Sequence, residues 1–269
     1  MPAIEYSRLR TKIELLGRVY DQPGQFVKDL SDLYFFYSDL TFQSSSTKVL
    51  SSASPAYKAP VVINRELERL LKSKAQSMPE QTLNIIDQLW QTKTLEPCQL
   101  AAALLGSLPR DHSQAVLERI SSWSQAGTNP DLLQILHTKG SASIRREQPE
   151  LWLATLRSWY QGKDAFLQKM SILGLQPLLD DPDFTNLPLI FDFLEPIVEK
   201  TDPHLSFTLL SILDQLAKKS ESETVFFLKQ IIKGSNSEDL PRFIRRLIPS
   251  FSESGQQSLK ICLRENKNA

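Results

Sequence analysis

Apolar residues follow the period of an α-helix along nearly the whole chain, and this spacing predicts the secondary structure. Near the C-terminus they recur at offsets 0, 3, 4, 7, 8 and 11, as Leu240, Phe243, Ile244, Leu247, Ile248 and Phe251. Such offsets place all of these side chains on one stripe of a helix. The strict alternation of apolar and polar residues that is typical of a half-buried strand is almost absent. The sequence therefore predicts an all-α fold.

Helix signals recur about every 15–20 residues, so that consecutive pairs repeat at a period close to that of HEAT units. Glycine is also scarce, with nine residues in 269, which leaves few positions for tight β-hairpins or for loops that cradle phosphate. We therefore predict a HEAT-like α-solenoid of antiparallel helix pairs. This prediction rests on the regular spacing of the helices, because no repeated sequence motif aligns the pairs.

The chain is predicted to have three parts. Residues 1–42 read as a helical pair, which either caps the open end of the repeat domain or acts as a separate docking element. Residues 43–59 are rich in serine and lack apolar spacing, so we interpret them as a linker or long loop. Residues 60–265 form the predicted helical repeat domain.

Sequence motifs for catalysis and metal binding are missing. The chain has no nucleophile elbow, no glycine-rich phosphate loop and no zinc-protease motif. Its two cysteines, Cys98 and Cys262, are predicted to be buried apolar groups rather than ligands or a disulfide. The three histidines are isolated in sequence, so we expect neither a metal nor a cofactor.

The composition of the chain limits which cellular compartment and which partners we expect. No stretch approaches the length of an apolar membrane span, and no signal peptide is visible, so we expect a cytoplasmic protein without a membrane partner. Lysine and arginine together number 31, as do aspartate and glutamate, and the formal net charge is zero. A nucleic-acid-binding protein usually has an excess of cations. Binding to DNA would therefore require a local basic face.

Basic residues do form local clusters. The first is a helical stripe at offsets 0, 4 and 7, and two further clusters follow along the chain. Corresponding helices of a solenoid line one surface, so these clusters are predicted to contribute to a cationic groove that binds DNA. The alternative is a set of solvated faces balanced by neighbouring acids. The candidate DNA-binding residues are Arg65, Arg69, Lys72, Arg145, Arg146, Lys169, Lys229, Lys233, Arg242, Arg245 and Arg246.

Three blocks of sequence resemble a known family. They comprise residues 85–90 with 99–104, residues 148–151 with Trp159 and residues 166–169, and residues 226–230 with the following helix. Together they are similar to the HEAT-like bacterial DNA alkylation-repair proteins, the alkylpurine DNA glycosylases, over about residues 60–250. Most of the matching positions are packing residues, so the resemblance bears on the fold more than on the activity.

The resemblance implies a specific chemistry. Catalytic members hold duplex DNA in a positively charged groove and cut the glycosidic bond of cationic alkylated purines without flipping the base. An aspartate stabilises the positive charge that develops on the sugar, and tryptophans contact the lesion. In this chain Asp131 is the best match to the aspartate and Trp123 to a tryptophan, and both are candidate catalytic residues.

The chain departs from the family pattern at three positions. It has one tryptophan where the family has two adjacent ones, Lys169 where the family has an arginine, and no tryptophan after Trp159. Two hypotheses follow. The protein is a non-catalytic scaffold that binds double-stranded DNA or a protein partner on its concave face, or it is a glycosylase that excises purines of the 3-methyladenine or 7-methylguanine type.

Overall fold

The computed structural model describes residues 5–38, 55–235 and 237–268. Within these ranges every regular element is a helix, which confirms the predicted all-α class. Contacts divide the chain into two compact units, Met1–Pro149 and Glu150–Ala269. The predicted linker lies mostly outside the described residues, at positions 43–54, and the boundaries predicted at residues 42 and 59 remain predictions.

The first unit consists of eight α-helices and two short segments of other helical types in its described residues. The 3₁₀ turn is Arg110–His112 and the π-helical segment is Leu136–Gly140. The α-helices are α1 (Tyr6–Arg18), α2 (Pro23–Tyr37), α3 (Val61–Ser77), α4 (Pro79–Gln91), α5 (Leu95–Leu105), α6 (Ser113–Trp123), α7 (Pro130–Ile135) and α8 (Ala142–Glu147).

Helices of the first unit pack in an alternating order. α1 packs on α3, α3 on α5 and α5 on the π-helical segment, while α2 packs on α4. α3 is amphipathic, because Ile63, Leu67 and Leu71 are buried whereas Arg65 and Arg69 on the other face are exposed. One face of α3 therefore contributes to the core and leaves its cations on the surface.

A buried carboxylate anchors the residues that precede α3. Glu96 accepts hydrogen bonds from the backbone N–H groups of Tyr57, at 2.9 Å, and Ala59, at 3.2 Å. The Tyr34 hydroxyl donates to Asn64, whose amide donates in turn to the Glu96 carbonyl at 3.2 Å. Burial, reinforced by Glu96, raises the pKa of the Tyr34 phenol well above its usual range. This network holds residues 55–60, which have no regular structure, against α2, α3 and α5.

The second unit consists of eight α-helices, of which the first begins at the unit boundary, and one 3₁₀ turn (Ile248–Ser250) in its described residues. α10 packs on α13 and α13 on α15, while α12 packs on α14 and α14 on α16. The helices are α9 (Pro149–Gln161), α10 (Ala165–Leu173), α11 (Gln176–Leu179), α12 (Leu187–Lys200), α13 (Ser206–Lys219), α14 (Glu221–Gly234), α15 (Leu240–Leu247) and α16 (Glu253–Asn268).

The apolar stripe that starts at Leu240 is buried, as its spacing predicts, but it does not lie on one continuous α-helix. The α-helical part ends at Leu247 and is followed by the 3₁₀ turn Ile248–Ser250, because Pro249 lacks an N–H and cannot donate an α-helical hydrogen bond. Ile248 and Phe251 still reach the core, with exposed fractions of 7% and 5%. The periodicity thus predicted burial correctly while the proline set the helix boundary.

Cys98 and Cys262 are free and buried, as predicted. Burial raises the pKa of the Cys98 thiol to about 11, so this thiol is protonated and unreactive at neutral pH. In the described ranges, three or more His, Cys, Asp or Glu side chains do not come together in a group that could hold a metal ion. No helix formed by the described residues is both long and apolar enough to span a membrane.

Candidate nucleic-acid interface

A cationic groove of about 750 Å³ opens on the surface of the first unit. Its walls are α3, the C-terminal end of α5, the 3₁₀ turn, the π-helical segment and α8. The lining includes two carboxylates, Glu68 and Glu147, and six cations, which exceed them by four charges. The six cations are Arg65, Arg69, Lys72, Arg110, Lys139 and Arg146.

The basic stripe predicted on α3 forms one wall of this groove. Arg65, Arg69 and Lys72 all line it, while Leu67 and Leu71 between them are buried in the core. Arg69 forms an ion pair with Glu66 at 2.8 Å, and this hydrogen bond lowers the pKa of the Glu66 carboxyl. Within the described ranges Arg65, Lys72, Arg110 and Arg146 form no ion pair, which leaves four cations of the groove available to a ligand.

Lys139 and Glu68 join two walls of the groove. The Lys139 Nζ donates to the Glu68 Oε1 at 2.5 Å, which ties the π-helical segment to α3. Because this pair neutralises Glu68, the carboxylate charge that remains in the lining is that of Glu147. The groove therefore combines a fixed internal ion pair with an excess of positive charge.

Gly106 permits the close packing of α5 against the π-helical segment. A Cβ atom at this position would lie 1.8 Å from the Lys139 carbonyl oxygen and 3.0 Å from its carbonyl carbon. The 1.8 Å distance is incompatible with a side chain, so only glycine allows the backbone of Lys139 to approach the end of α5 this closely. π-helical insertions commonly occur at functional sites, and here the insertion places Lys139 in the groove.

A buried polar cluster supports the π-helical segment from the core side. A hydrogen bond of 3.0 Å joins His137 Nε2 to the Ser124 hydroxyl, and the Ser141 hydroxyl donates to the His137 carbonyl. Arg145 donates from Nε to Ser141 Oγ at 2.8 Å and from Nη2 to the Thr138 carbonyl at 2.6 Å. Burial lowers the pKa of His137 to about 4, and the nearby Arg145 guanidinium adds to the effect.

The two adjacent arginines of α8 therefore have different environments. Arg146 is exposed and lines the groove, whereas the half-buried Arg145 bonds the framework beneath it. The sequence predicted both as DNA-binding residues. The structure brings Arg146 together with Arg65, Arg69 and Lys72 and places Arg145 in a supporting position.

Asp131 and Trp123 do not belong to the lining of the groove in the part of the chain that the structure describes. Trp123 is the last residue of α6, and its ring stacks on buried Trp90 with centroids 4.5 Å apart and an interplanar angle of 8°. Asp131 is exposed in the first turn of α7, where its N–H donates to the Asn129 side chain at 2.8 Å. Asn129 is thus the cap of α7.

A comparison with models of protein families shows the family of this chain. A family model described as DNA alkylation repair enzyme matches residues 61–247, from the first residue of α3 to the last of α15. The chain belongs to this family. The match confirms the resemblance seen in the sequence. Comparisons with curated proteins and with solved structures return no match.

The family match includes all of the groove-lining residues and also the cations predicted in the second unit. Lys169 is on α10, Lys229 and Lys233 are on α14, and the arginines are on α15. Some of these cations already have polar partners in the described residues. Lys229 donates to Ser258 at 3.2 Å, Arg246 to Ser206 at 3.0 Å, and Arg242 lies 3.6 Å from Asp239, while Lys169, Lys233 and Arg245 are exposed.

Sequence reasoning missed Arg110, Lys139 and Gly106 in this DNA alkylation repair family member. Arg110 lies in a 3₁₀ turn and Lys139 in a π-helical segment, so neither belongs to a stripe with the 3.6-residue period. Gly106 comes directly after a helix that is rich in small residues. Because the chain has only nine glycines, the position of this one was the signal in the sequence that could have indicated a close contact. The contact with the Lys139 carbonyl depends on tertiary structure.

Proposed function

We propose that this chain binds the phosphate backbone of double-stranded DNA in the cationic groove of its first unit, as a DNA alkylation repair protein that recognises DNA without cutting it. A single observation carries the proposal, namely six cations and two carboxylates around one groove. Neutralising phosphates with lysine and arginine releases counterions and supplies most sequence-independent affinity for DNA. The zero net charge of the chain is compatible with this function, because the excess is local.

The geometry of α3 suits a polyanion. Arg65 and Lys72 are seven residues apart, so the stripe extends about 10 Å along the helix axis. That length corresponds to about three phosphates on one strand of a duplex aligned with it. Arginine can also bind a phosphate with two parallel N–H donors, which favours a defined orientation of the backbone.

We further infer that the helices stack as HEAT-like antiparallel pairs. The support is the alternating order of packing, in which α1, α3 and α5 follow one another while α2 packs on α4. In such a stack one helix of each pair contributes to a common surface. The groove, which α3 and the end of α5 line, would then be part of the concave face of this stack.

The binding function predicts an effect of charge removal on the salt dependence. Arg65→Ala/Arg146→Ala removes two cations that form no ion pair with described residues. We expect affinity for a labelled duplex to fall by about tenfold or more, and the slope of log K against log salt to decrease in magnitude by about 1.8, because each lost phosphate contact accounts for about 0.9. Fluorescence anisotropy over a series of KCl concentrations measures both quantities.

The matched control is Lys28→Ala/Arg157→Ala, which removes two charges from exposed helix positions that are not part of the groove lining. This variant should bind DNA with an unchanged slope. Binding that is absent or independent of salt, or an equal loss in both double variants, would contradict the proposal and leave a protein as the partner of the groove.

A second candidate function is excision of cationic alkylated purines. The family description, DNA alkylation repair enzyme, favours it, and Asp131 offers an exposed carboxylate that could stabilise positive charge on a sugar. If this function holds, the purified chain releases 7-methylguanine or 3-methyladenine from methylated duplex DNA and Asp131→Asn abolishes the release, while Asp183→Asn, at an exposed loop position, leaves it intact. Chromatography of the released bases measures the reaction.

Measurements of binding and of base release distinguish the two functions. Wild-type protein that binds methylated duplex with a steep salt dependence but releases no base, under conditions where a known glycosylase does, would exclude excision and retain the binding function. Release that survives Asp131→Asn would show that another residue carries the chemistry.

A further inference from the structure

A second groove, of about 550 Å³, lies between α12 and α14 in the second unit. We call it the phenylalanine groove, after Phe191, Phe226 and Phe227 in its lining. Phe191 stacks on Phe227 with centroids 4.7 Å apart, and Phe227 is 8% exposed. Phe226 is 65% exposed. Two rings thus form the floor and a third stands open to solvent beside them.

The exposure of Phe226 follows from its position on α14. The buried face of this helix consists of Thr224, Phe227, Leu228, Ile231 and Ile232. Residue 226 falls outside these offsets of 0, 3, 4, 7 and 8, so the fold does not need an apolar side chain there. A large aromatic ring at an exposed position next to other rings is typical of protein interaction sites.

Acidic side chains surround the aromatic floor. Asp192, Glu195 and Glu223 line the phenylalanine groove, and its described lining contains no lysine or arginine. The groove therefore combines an apolar floor with three carboxylates.

We propose that the phenylalanine groove binds an amphipathic helix of a partner protein, with apolar side chains about one helical turn apart against the rings and with lysine or arginine beside them. The carboxylates accept hydrogen bonds from those cations. DNA and anionic membranes are disfavoured here because three carboxylates repel phosphate. A second copy of the chain is disfavoured because a symmetric contact would oppose the same carboxylates.

A randomised display library of short helical peptides tests the proposal without a known partner. The folded full chain is the target, and the enriched peptides are afterwards measured on the wild type and on the Phe226→Ala variant. Because Phe226 is mostly exposed, its replacement should leave the circular dichroism spectrum and the unfolding midpoint unchanged. We expect the enriched peptides to carry apolar residues at i and i+4 or i and i+3, with an excess of lysine and arginine.

Affinities of one enriched peptide then measure the two contributions separately. We expect Phe226→Ala to weaken binding about thirtyfold, as for loss of an aromatic anchor, and a peptide with its cations replaced by glutamate to bind at least about tenfold more weakly. Phe207→Ala is the matched control, because Phe207 is 81% exposed on α13 and does not line the groove. That variant should bind like the wild type.

Three results would overturn the proposal. The first is enrichment of peptides without a basic excess, and the second is binding that Phe226→Ala leaves unchanged. The third is a dimer in sedimentation experiments that Phe226→Ala dissociates, because a second copy would then cover the rings. DNA is absent from all of these measurements, so their outcome is independent of the function proposed for the cationic groove.

Discussion

Replacement of Gly106 by alanine is expected to lower the free energy of unfolding by about 3 kcal/mol or more, at the upper end of the cost of overpacking. The added Cβ atom would lie 1.8 Å from the Lys139 carbonyl oxygen, well inside van der Waals contact. A flexible side chain could move aside, but the obstacle here is backbone, so α5 and the π-helical segment must separate. Urea denaturation followed by circular dichroism measures the loss.

Gly24→Ala provides the matched control for this prediction. Gly24 lies in the first turn of α2, and a Cβ atom there meets nothing within 4 Å. We expect this variant to be neutral or more stable by about 0.5 kcal/mol, because alanine loses less conformational entropy in a helix. Equal stability of Gly106→Ala and wild type would show that the helices approach less closely than the structure indicates.

The stability of the protein is expected to depend on the protonation of His137. Burial, with Arg145 nearby, lowers its pKa from the ordinary value of 6.5 to about 4, so the native state binds the proton more weakly than the unfolded state. This contribution to stability is therefore fully present above pH 6.5 and is lost as the pH falls toward 4. A difference of about 2.5 pKa units corresponds to about 3 kcal/mol.

His137→Gln separates this effect from the titration of carboxylates. The variant cannot take up a proton at this position, so its free energy of unfolding should vary about 3 kcal/mol less than that of wild type between pH 6.5 and 4. His204→Gln is the control for the substitution itself, because His204 is exposed in a turn and does not belong to this cluster. Urea denaturation over this pH range measures all three proteins. Parallel profiles for His137→Gln and wild type would contradict the prediction.

The buried cluster around His137 extends to the cationic groove. The histidine belongs to the π-helical segment that also carries Lys139, and Arg145 bonds the carbonyl of Thr138 between them. Protonation would place a second positive charge next to a half-buried guanidinium. At neutral pH His137 is therefore uncharged, and the Arg145 guanidinium is the charged group of this buried cluster.

Local sequence was a good guide wherever the 3.6-residue period is unbroken. On α3 the offsets 0, 4 and 7 predicted one stripe of cations, and in the structure Arg65 and Arg69 are exposed while Leu67 and Leu71 on the other face are buried. Both follow from geometry alone, since residues three or four apart share one face of a helix. The same reasoning extended the C-terminal stripe past Leu247 into a region where Pro249 ends the α-helix.

The site was harder to predict because its residues come from separate elements. The pairing of Lys139 with Glu68 joins positions 71 residues apart, and no spacing in the sequence indicates it. Arg145 and Arg146 are adjacent and chemically identical, so only their surroundings distinguish a framework residue from a groove residue. The roles assigned to Asp131 and Trp123 came from the family resemblance and remain predictions.

By itself the sequence determined the helical class, the buried face of most helices and the membership of the DNA alkylation repair family. These properties depend on the order and period of residue types, which local geometry converts directly into structure. Only the tertiary structure decided which cations share a groove, why Gly106 must be glycine and why Phe226 stands beside an acidic, aromatic groove. Those properties depend on distances between elements far apart in the chain, which arise only when the helices pack.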